Sequence, residues 1–384
     1  MPLVDMSELL RHAGREAYAV CAFDLVSLDF LSAVVTAAEN CRAPVILSVS
    51  AAHLEHVDGE LLAPAMEAAA RRAQVPVAIQ FRCVNSPESV VRAIRLGCNG
   101  VAVDVSRTRT DELAETRAMV AVAHACGVPV EAGLNVIMRF SPAAAIPDAV
   151  TPEAARAFVA QTGVDFLAIT EAQPGTARPR LDLVRLAQLR SELEIPFTVD
   201  GNQWITEADY PPLIKGGVVK ISHYVGLSRA AAERLRQNFK SMHRNGYLTL
   251  VKGVREAICK YAEHCLRLSG SADRAHHAAQ QCRRWHEITH CIPYSVSADT
   301  GEREVQAMMA SGRKTLAAIP GVRNVFTGRA LSADPKYRYC WLVRFAHPAV
   351  IASYRDHPDH VAFADNCFRP IAADRVSIDF EAVS

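Results

Sequence analysis

The sequence predicts an α/β chain built as a (β/α)8 TIM barrel, a helical connector and a ferredoxin-like α+β domain. Two observations carry the barrel. Residues 75–106 read strand, loop, helix, strand, the rhythm of a parallel βαβ unit, whose crossover helix needs one apolar stripe while its strands are covered on both faces. That rhythm recurs until eight strands, each followed by a helix, are counted by residue 236, the length and regularity of a closed barrel. A third observation carries the second domain. Beyond Glu287 the order becomes strand, helix, two strands, helix, strand, which is ferredoxin-like.

Taken in order, residues 18–23 form strand one, ending at Asp24, and 29–40 form the first crossover helix. Strand two covers 44–50 and the next helix 59–72. Strand three (75–81) precedes Ser86-Pro87-Glu88, a hydroxyl N-cap with proline at the first helical position. Gly97 and Gly100 stop that helix, and 101–104 is strand four. A helix over 110–126 ends at Gly127 before strand five at 128–134. Thr151 caps a helix over 152–161, and strand six (165–170) ends at Glu171. A helix over 181–193 leads to strand seven (195–199), ending at Asp200. The helix 206–215 leads to strand eight (218–222), ending at His223-Tyr224. The barrel is placed at 1–236, the connector at 237–286 and the last domain at 287–384. The helical region 228–286 is broken around Ser269-Gly270-Ser271. The last domain has strands at 288–294, 322–329, 337–345 and 376–380 and helices at 302–319 and 348–356. One face of so small a sheet carries no helices, so a homodimer that buries it is expected.

Composition narrows the function classes. Half of the 384 residues are hydrophobic, and Lys+Arg at 42 balance Asp+Glu at 41. That balance gives no general attraction to nucleic acid or to an anionic membrane surface. No apolar run approaches the ~18–20 residues of a membrane span. The first residues read as a short amphipathic helix leading into a strand, without a secretory pattern. Eleven scattered cysteines, an odd number with no CxxC pair, read as reduced thiols in a cytoplasmic protein without a zinc ribbon. Residues 274–285 are rich in His and Arg. His276 and His277 are adjacent and point to different helix faces, so a solvated linker helix is read there rather than a metal tract.

The stretches AYAVCAFDLVSLDFLSAVVTAAENCRAPVILSVS, VPVEAGL, TPEAARAFVAQTGVDFLAI, IPFTVDG and GGVVKIS resemble the class II fructose-bisphosphate aldolase family over about residues 17–236. The resemblance implies a zinc-dependent barrel whose ligands and phosphate seat lie past the strand ends. Here those motifs depart. The family's His-x-Asp-His run reads Gln80-Phe81-Arg82-Cys83, with Arg82 at the catalytic aspartate and Cys83 at a ligand. Its Glu-x-Glu reads Glu131-Ala132-Gly133, and its Gly-Thr-Ser-His stretch reads Glu171-Ala172-Gln173-Pro174-Gly175. Its His-Gly-Gly-Ser-Gly reads Asp200-Gly201-Asn202-Gln203-Trp204, and its Asn-x-Asn-Thr reads Ser222-His223-Tyr224-Val225. A catalytic zinc needs three protein ligands, and bulky Trp204 stands where small residues would let phosphate approach. No cofactor is therefore expected, although Cys83, Glu131, Glu171, Asp200 and His223 are the donors from which a divalent-metal site could be rebuilt.

The stretches EITHCIPY, LAAIPGVRNVFTGRALS, YRYCWLVRFAHPAVIASYRDHPDHVAFADNCFRPI and VSIDF resemble the Dabb family of stress-responsive dimeric α/β barrels. Its signature stands as Tyr354, His357, Pro358 and His360, with His290 on the first strand. In polyketide-cyclising members the resemblance implies an acid/base pair made of the tyrosine and the last histidine.

Three readings follow. In the first, the barrel is a diverged lyase for a small anionic carbonyl or carboxylate compound. Arg82 and Arg139 suit bidentate anion recognition. Glu131, Glu171 and Asp200 end successive strands and could divide acid and base roles, with His223 assisting. Asn85, Asn202, Gln203 and Trp204 face the substrate. The competing reading is structural ion pairing of the arginines with Asp104, Glu131 or Asp200, and Asp24 and Asp104 are read as caps or as residues supporting the site from behind. Lys220 lies inside strand eight, where the aldolase family also carries a lysine. In the second reading Tyr354 and His360 do acid/base work and the barrel is a scaffold. In the third the barrel binds a metabolite or partner without catalysis.

Overall fold

The computed structural model describes residues 3–103, 112–133, 151–169, 183–201, 205–241 and 246–382. Its first part is a closed barrel of eight parallel strands in sequential order: β1 (Val20–Asp24), β2 (Val45–Ser50), β3 (Val77–Val84), β4 (Gly100–Val103), β5 (Val130–Gly133), β6 (Phe166–Ala168), β7 (Phe197–Gly201) and β8 (Val218–His223). Helix α1 (Met6–Arg15) precedes β1; α2 (Leu28–Asn40) to α8 (Tyr210–Lys215) follow the strands in turn, as α3 (Gly59–Arg72), α4 (Pro87–Arg95), α5 (Glu112–Ala125), α6 (Pro152–Thr162) and α7 (Leu183–Glu192).

The expected helix starts are in place. The Thr151 hydroxyl accepts from Ala154 N–H at 3.2 Å, with Pro152 at the first helical position, and α4 begins at Pro87. Gly163 closes α6 in the left-handed conformation at φ 75°, which an L side chain rarely adopts.

Helix α1 is more than the leader its sequence suggests. Met6, Leu9 and Leu10 are fully buried in one cluster with Val20, Ile46, Ala78 and Phe166 from four strands. The helix therefore plugs the N-terminal end of the barrel. A Cβ on Gly100 would collide with the Met6 sulfur, so the small residue on β4 makes room for the plug.

The connector departs from the expected single break. It comprises α9 (Val225–Ser241), α10 (Tyr247–Leu250), α11 (Val254–Leu268) and α12 (Ala275–Gln281). Gly253 sits at φ 76° as an additional interruption before α11. The α11–α12 break is where Ser269-Gly270-Ser271 placed it: Ser269 and Ser271 hydroxyls both donate to the Leu266 carbonyl at 3.1 Å.

The last domain has β9 (Ile288–Val296), α13 (Glu302–Ala317), β10 (Val322–Arg329), β11 (Tyr339–Phe345), α14 (Val350–Arg355), α15 (Pro358–Phe363), β12 (Ala372–Arg375) and β13 (Ile378–Glu381). The sheet order is β10-β11-β9-β12, with β13 also pairing β9, and all pairs are antiparallel. That is the ferredoxin-like order. The expected final strand at 376–380 is present as β13, and β12 before it is a strand the sequence did not place. The break between β12 and β13 falls opposite Ile292 and Pro293, and proline has no N–H to offer a ladder. Phe326, Ile378 and Phe380 are exposed large hydrophobics of this sheet.

The described chain groups into two compact units, residues 1–87, 98–120 and 129–284 in one, and 88–97, 121–128 and 285–384 in the other.

Candidate active site

Alternation along the strands decides which side chains line the barrel. Lys220 Nζ on β8 reaches across to Gln80 Oε1 on β3 at 2.7 Å and to the Glu131 carboxylate on β5. These three therefore face inward. Paired residues of parallel strands share a face, so Ser48 (beside Gln80), Thr198 (beside Lys220) and Asp24 (beside Ser48) face inward too. Two residues further on, Arg82, Asp200 and Ser222 form the layer above. The C-terminal half of the barrel is thus polar, and its N-terminal half is the apolar plug described above.

Two ion-pair systems are stacked there. In the lower one Lys220 is completely buried against Glu131, and Gln80 Nε2 donates to Glu131 at 3.0 Å. Burial alone would raise the Glu131 carboxyl, but the Lys220 ammonium and the Arg82 guanidinium outweigh it and hold the group below the usual carboxylate range. In the upper one the Arg82 fork is divided. Its Nη1 donates to Asp24 Oδ2 at 3.2 Å and its Nη2 to the Asp200 carboxylate. The two acids differ in access: the Asp24 side chain is 4% exposed and that of Asp200 40%. Ser48 Oγ, Thr198 Oγ1, Ser222 Oγ and Asp24 Oδ1 are buried without a hydrogen-bond partner. Buried polar atoms of this kind usually have one, so these four are open acceptors and donors at the polar end of the barrel.

His223 is placed differently from its neighbours. Lys220 and Ser222 turn inward, so His223 faces the helix layer. Its ring lies 5.3 Å from the Phe23 ring and stacks within 7° of parallel on Tyr210 of α8. Burial pushes its pKa down to about 4, against a weaker upward pull from Asp24. The unfolded chain takes up a proton near the ordinary histidine value of ~6.5, whereas the folded chain does so only near 4. Stability from this residue is therefore present above that ordinary value. It falls as pH drops through the window down to about 4, by roughly 3 kcal/mol in all. Urea unfolding at pH 7 and pH 4.5 should show a smaller acid-induced loss in His223→Gln than in the parent chain. Equal losses would remove His223 as the cause.

Asn85 follows β3 and is exposed. Arg139, Glu171, Asn202, Gln203 and Trp204 lie outside the described residues, as do Asp104 and the side chain of Cys83. Sequence reasoning missed His53. It follows β2 at the same end, its Nδ1 is buried without a partner, and its ring is 4.2 Å from that of Tyr224. Its position just past a strand end was the available signal. Asp24, read as a cap or as a residue supporting the site from behind, takes the second place: it shares Arg82 with Asp200.

The aldolase family implies a zinc at this end, and the described donors do not fit one. Glu131 is engaged by Lys220, Asp200 by Arg82, and His223 turns to the helix layer. A guanidinium, itself a cation, stands between the two upper carboxylates, and no three described donors converge here.

In the C-terminal unit, Tyr354 and His360 are close. Their ring centroids are 4.4 Å apart, and His290 is 6.1 Å from Tyr354. His360 Nδ1–H donates to the Arg355 carbonyl at 3.0 Å, which leaves Nε2 with the lone pair in the neutral ring. Burial lowers the His360 pKa and raises that of Tyr354. His290 pairs with Asp379 at 2.7 Å across β9 and β13. The role of His357 is structural, since its ring accepts from Asp359 N–H at 3.2 Å and caps α15.

The architecture so defined is a parallel (β/α)8 barrel with a charged C-terminal mouth, joined to a ferredoxin-like domain. The chain belongs to the class II fructose-bisphosphate aldolase family: residues 4–274 match that family, and residues 288–382 match the Stress responsive A/B Barrel Domain family, Dabb. It is 30% identical to a fructose-bisphosphate aldolase of Thermus caldophilus over 71% of this chain and 100% of that one. It is 28% identical to the uncharacterized protein YdjI of Escherichia coli K12, over 71% and 99%. The crystal structure of the YdjI aldolase superposes with a TM-score of 0.63 at 27% identity, covering 71% of this chain and 99% of that chain. A fructose-bisphosphate aldolase of Campylobacter jejuni, at 15% identity and TM-score 0.57, shares the fold over 71% of this chain and 97% of its own. Among the described residues, no helix is long and apolar enough to cross a membrane.

Proposed function

We propose that the barrel is a diverged class II aldolase-like lyase that makes or breaks a C–C bond beside the carbonyl of a small anionic compound, without the zinc site of its family. The observation that carries this reading is the Arg82 guanidinium shared between a buried and a half-exposed carboxylate. A substrate carboxylate or phosphate matches the guanidinium fork and competes for the Nη2 edge, where Asp200 is the accessible partner. Displaced from Arg82, Asp200 becomes a free base at the mouth. It accepts the proton of the substrate hydroxyl as the C–C bond breaks, and it returns the proton to the enolate carbon. Arg82 offsets the negative charge that builds on the enolate oxygen. Burial lowers the Lys220 pKa beneath them and Glu131 partly offsets that pull, while the buried hydroxyls of Ser48, Thr198 and Ser222 offer hydrogen bonds to the bound molecule. Glu171 is assigned to proton transfer and Arg139 to anion binding in the same reading, two residues outside the described ones. The homodimer belongs to this reading through the exposed Phe326, Ile378 and Phe380. So does a cytoplasmic location, supported by free cysteines, six of them buried among the described residues.

A second reading has its own observation, the Tyr354–His360 pair backed by His290 and Asp379. It puts acid/base chemistry in the C-terminal domain and leaves the barrel as a binding scaffold. One experiment separates the two. Loss of the C–H proton beside the carbonyl of small oxo acids and hydroxycarbonyl phosphates is followed by NMR in D2O. Exchange that survives His360→Ala and collapses in Arg82→Ala supports the barrel. The opposite pattern moves the chemistry to the C-terminal domain.

A further inference from the structure

Far from the mouth, His12, Glu16 and His277 bring three metal-ligating side chains together, with donor atoms all within 4.8 Å of one another. We propose that these residues bind a divalent zinc-class ion that ties the plug helix α1 to α12 at the N-terminal end of the barrel.

The geometry is close to that of a bound ion. Zinc holds nitrogen and oxygen donors at about 2.0–2.2 Å, which places neighbouring donors of a tetrahedron about 3.4 Å apart. His12 Nε2 is 3.4 Å from His277 Nδ1, and His277 Nδ1 is 3.7 Å from Glu16 Oε2. Glu16 has a flexible, partly exposed side chain and can close the remaining edge.

The orientation of His12 is fixed from behind. The residue is 1% exposed, and its Nδ1 lies 2.9 Å from the hydroxyl of buried Tyr18. When Nδ1–H donates to the Tyr18 oxygen, Nε2 presents its lone pair toward His277. An outer-shell partner of this kind sets tautomer and ring orientation in metal-binding histidines. His277 and Glu16 reach solvent, with side chains 45% and 35% exposed, so the ion has an entry path and a fourth position for water.

The donor set selects the metal class. Two imidazoles and one carboxylate suit zinc and its borderline neighbours, whereas magnesium and calcium require oxygen donors. Arg274 competes for the carboxylate from 3.8 Å and must move aside. His276, the other half of the sequence doublet, has its Nε2 3.1 Å from the Gln280 side chain and takes no part.

The test uses the full chain stripped with a chelator and titrated with zinc chloride by calorimetry, with thermal unfolding and cobalt absorption as further readouts. The parent chain and His276→Ala should each take up one zinc at this site, unfold at a higher temperature when it is bound, and give tetrahedral Co2+ bands. Loss of a ligand should cost at least the 10–100-fold in affinity that outer-shell changes cost, so His277→Ala and Glu16→Gln should bind correspondingly weakly and lose the bands. Equal zinc affinity in the parent chain and both variants, or no zinc-dependent rise in the parent's unfolding temperature, overturns the proposal.

Discussion

Lys220→Met is expected to destabilise the barrel by about 3–5 kcal/mol in urea unfolding, the cost typical of removing one partner from a buried ion pair. Lys220 is fully buried, and its ammonium meets Gln80 and Glu131 inside the sheet. Methionine fills much of the same volume, so packing is nearly kept while the charge is lost. The Glu131 carboxylate is then left with only the Gln80 amide and the more distant Arg82 charge, and it either stays ionised at a desolvation cost or takes up a proton. The double variant Lys220→Met/Glu131→Gln removes both charges together. It should recover a large share of the loss, because a neutral amide in that place can still bond to Gln80. A loss below about 1 kcal/mol in the single variant would show that the pair does not hold the strands together.

Arg82→Ala carries the largest expected effect on activity, a loss of about 100- to 1000-fold in C–H exchange, the size seen when one charge-stabilising donor is removed from an active site. Without the guanidinium, Asp24 and Asp200 are left near each other with no cation between them. Their mutual repulsion is uncompensated, and Asp200 loses the partner that sets its position. The base is then spoiled and the anion seat is gone, so kcat and substrate affinity should fall together. Arg82→Lys keeps the charge but not the fork. It is expected to retain part of the binding and little of the orientation. Full exchange in Arg82→Ala would remove the barrel mouth from the chemistry.

Much of the fold was legible because local signals and tertiary needs agree. Ser86-Pro87 and Thr151 start helices in sequence and do so in the structure, and the glycines after the helices close them. The connector was less legible, since only one of its interruptions has a serine-glycine-serine signature; the other described one rests on Gly253 in the left-handed region. The plugging of the barrel by α1 was hidden for another reason. An amphipathic pattern shows that Met6, Leu9 and Leu10 share a face but not what covers it.

At the mouth, Arg82 and Asp200 were readable as strand-end residues, whereas their partnership with Asp24 spans most of the barrel sequence and appears only when the sheet closes. The placing of His223 was within reach of simple alternation. Once Lys220 is assigned inward, the residue three further along must face the helices. The His12–His277 contact joins positions 265 residues apart, and no local pattern encodes it. The adjacent His276 and His277 do occupy different helix faces, as expected, but one of those faces also meets α1.

In the proposed reading Arg82, a protein cation, takes the place that a metal ion would have at the barrel mouth. The most direct measurement of that is the divalent-metal content of purified His277→Ala, in which the proposed site at the opposite end is removed. No stoichiometric, tightly held zinc, cobalt, manganese or nickel is expected. One firmly held equivalent that disappears in His277→Ala/Asp200→Asn would place a metal at the mouth and contradict it.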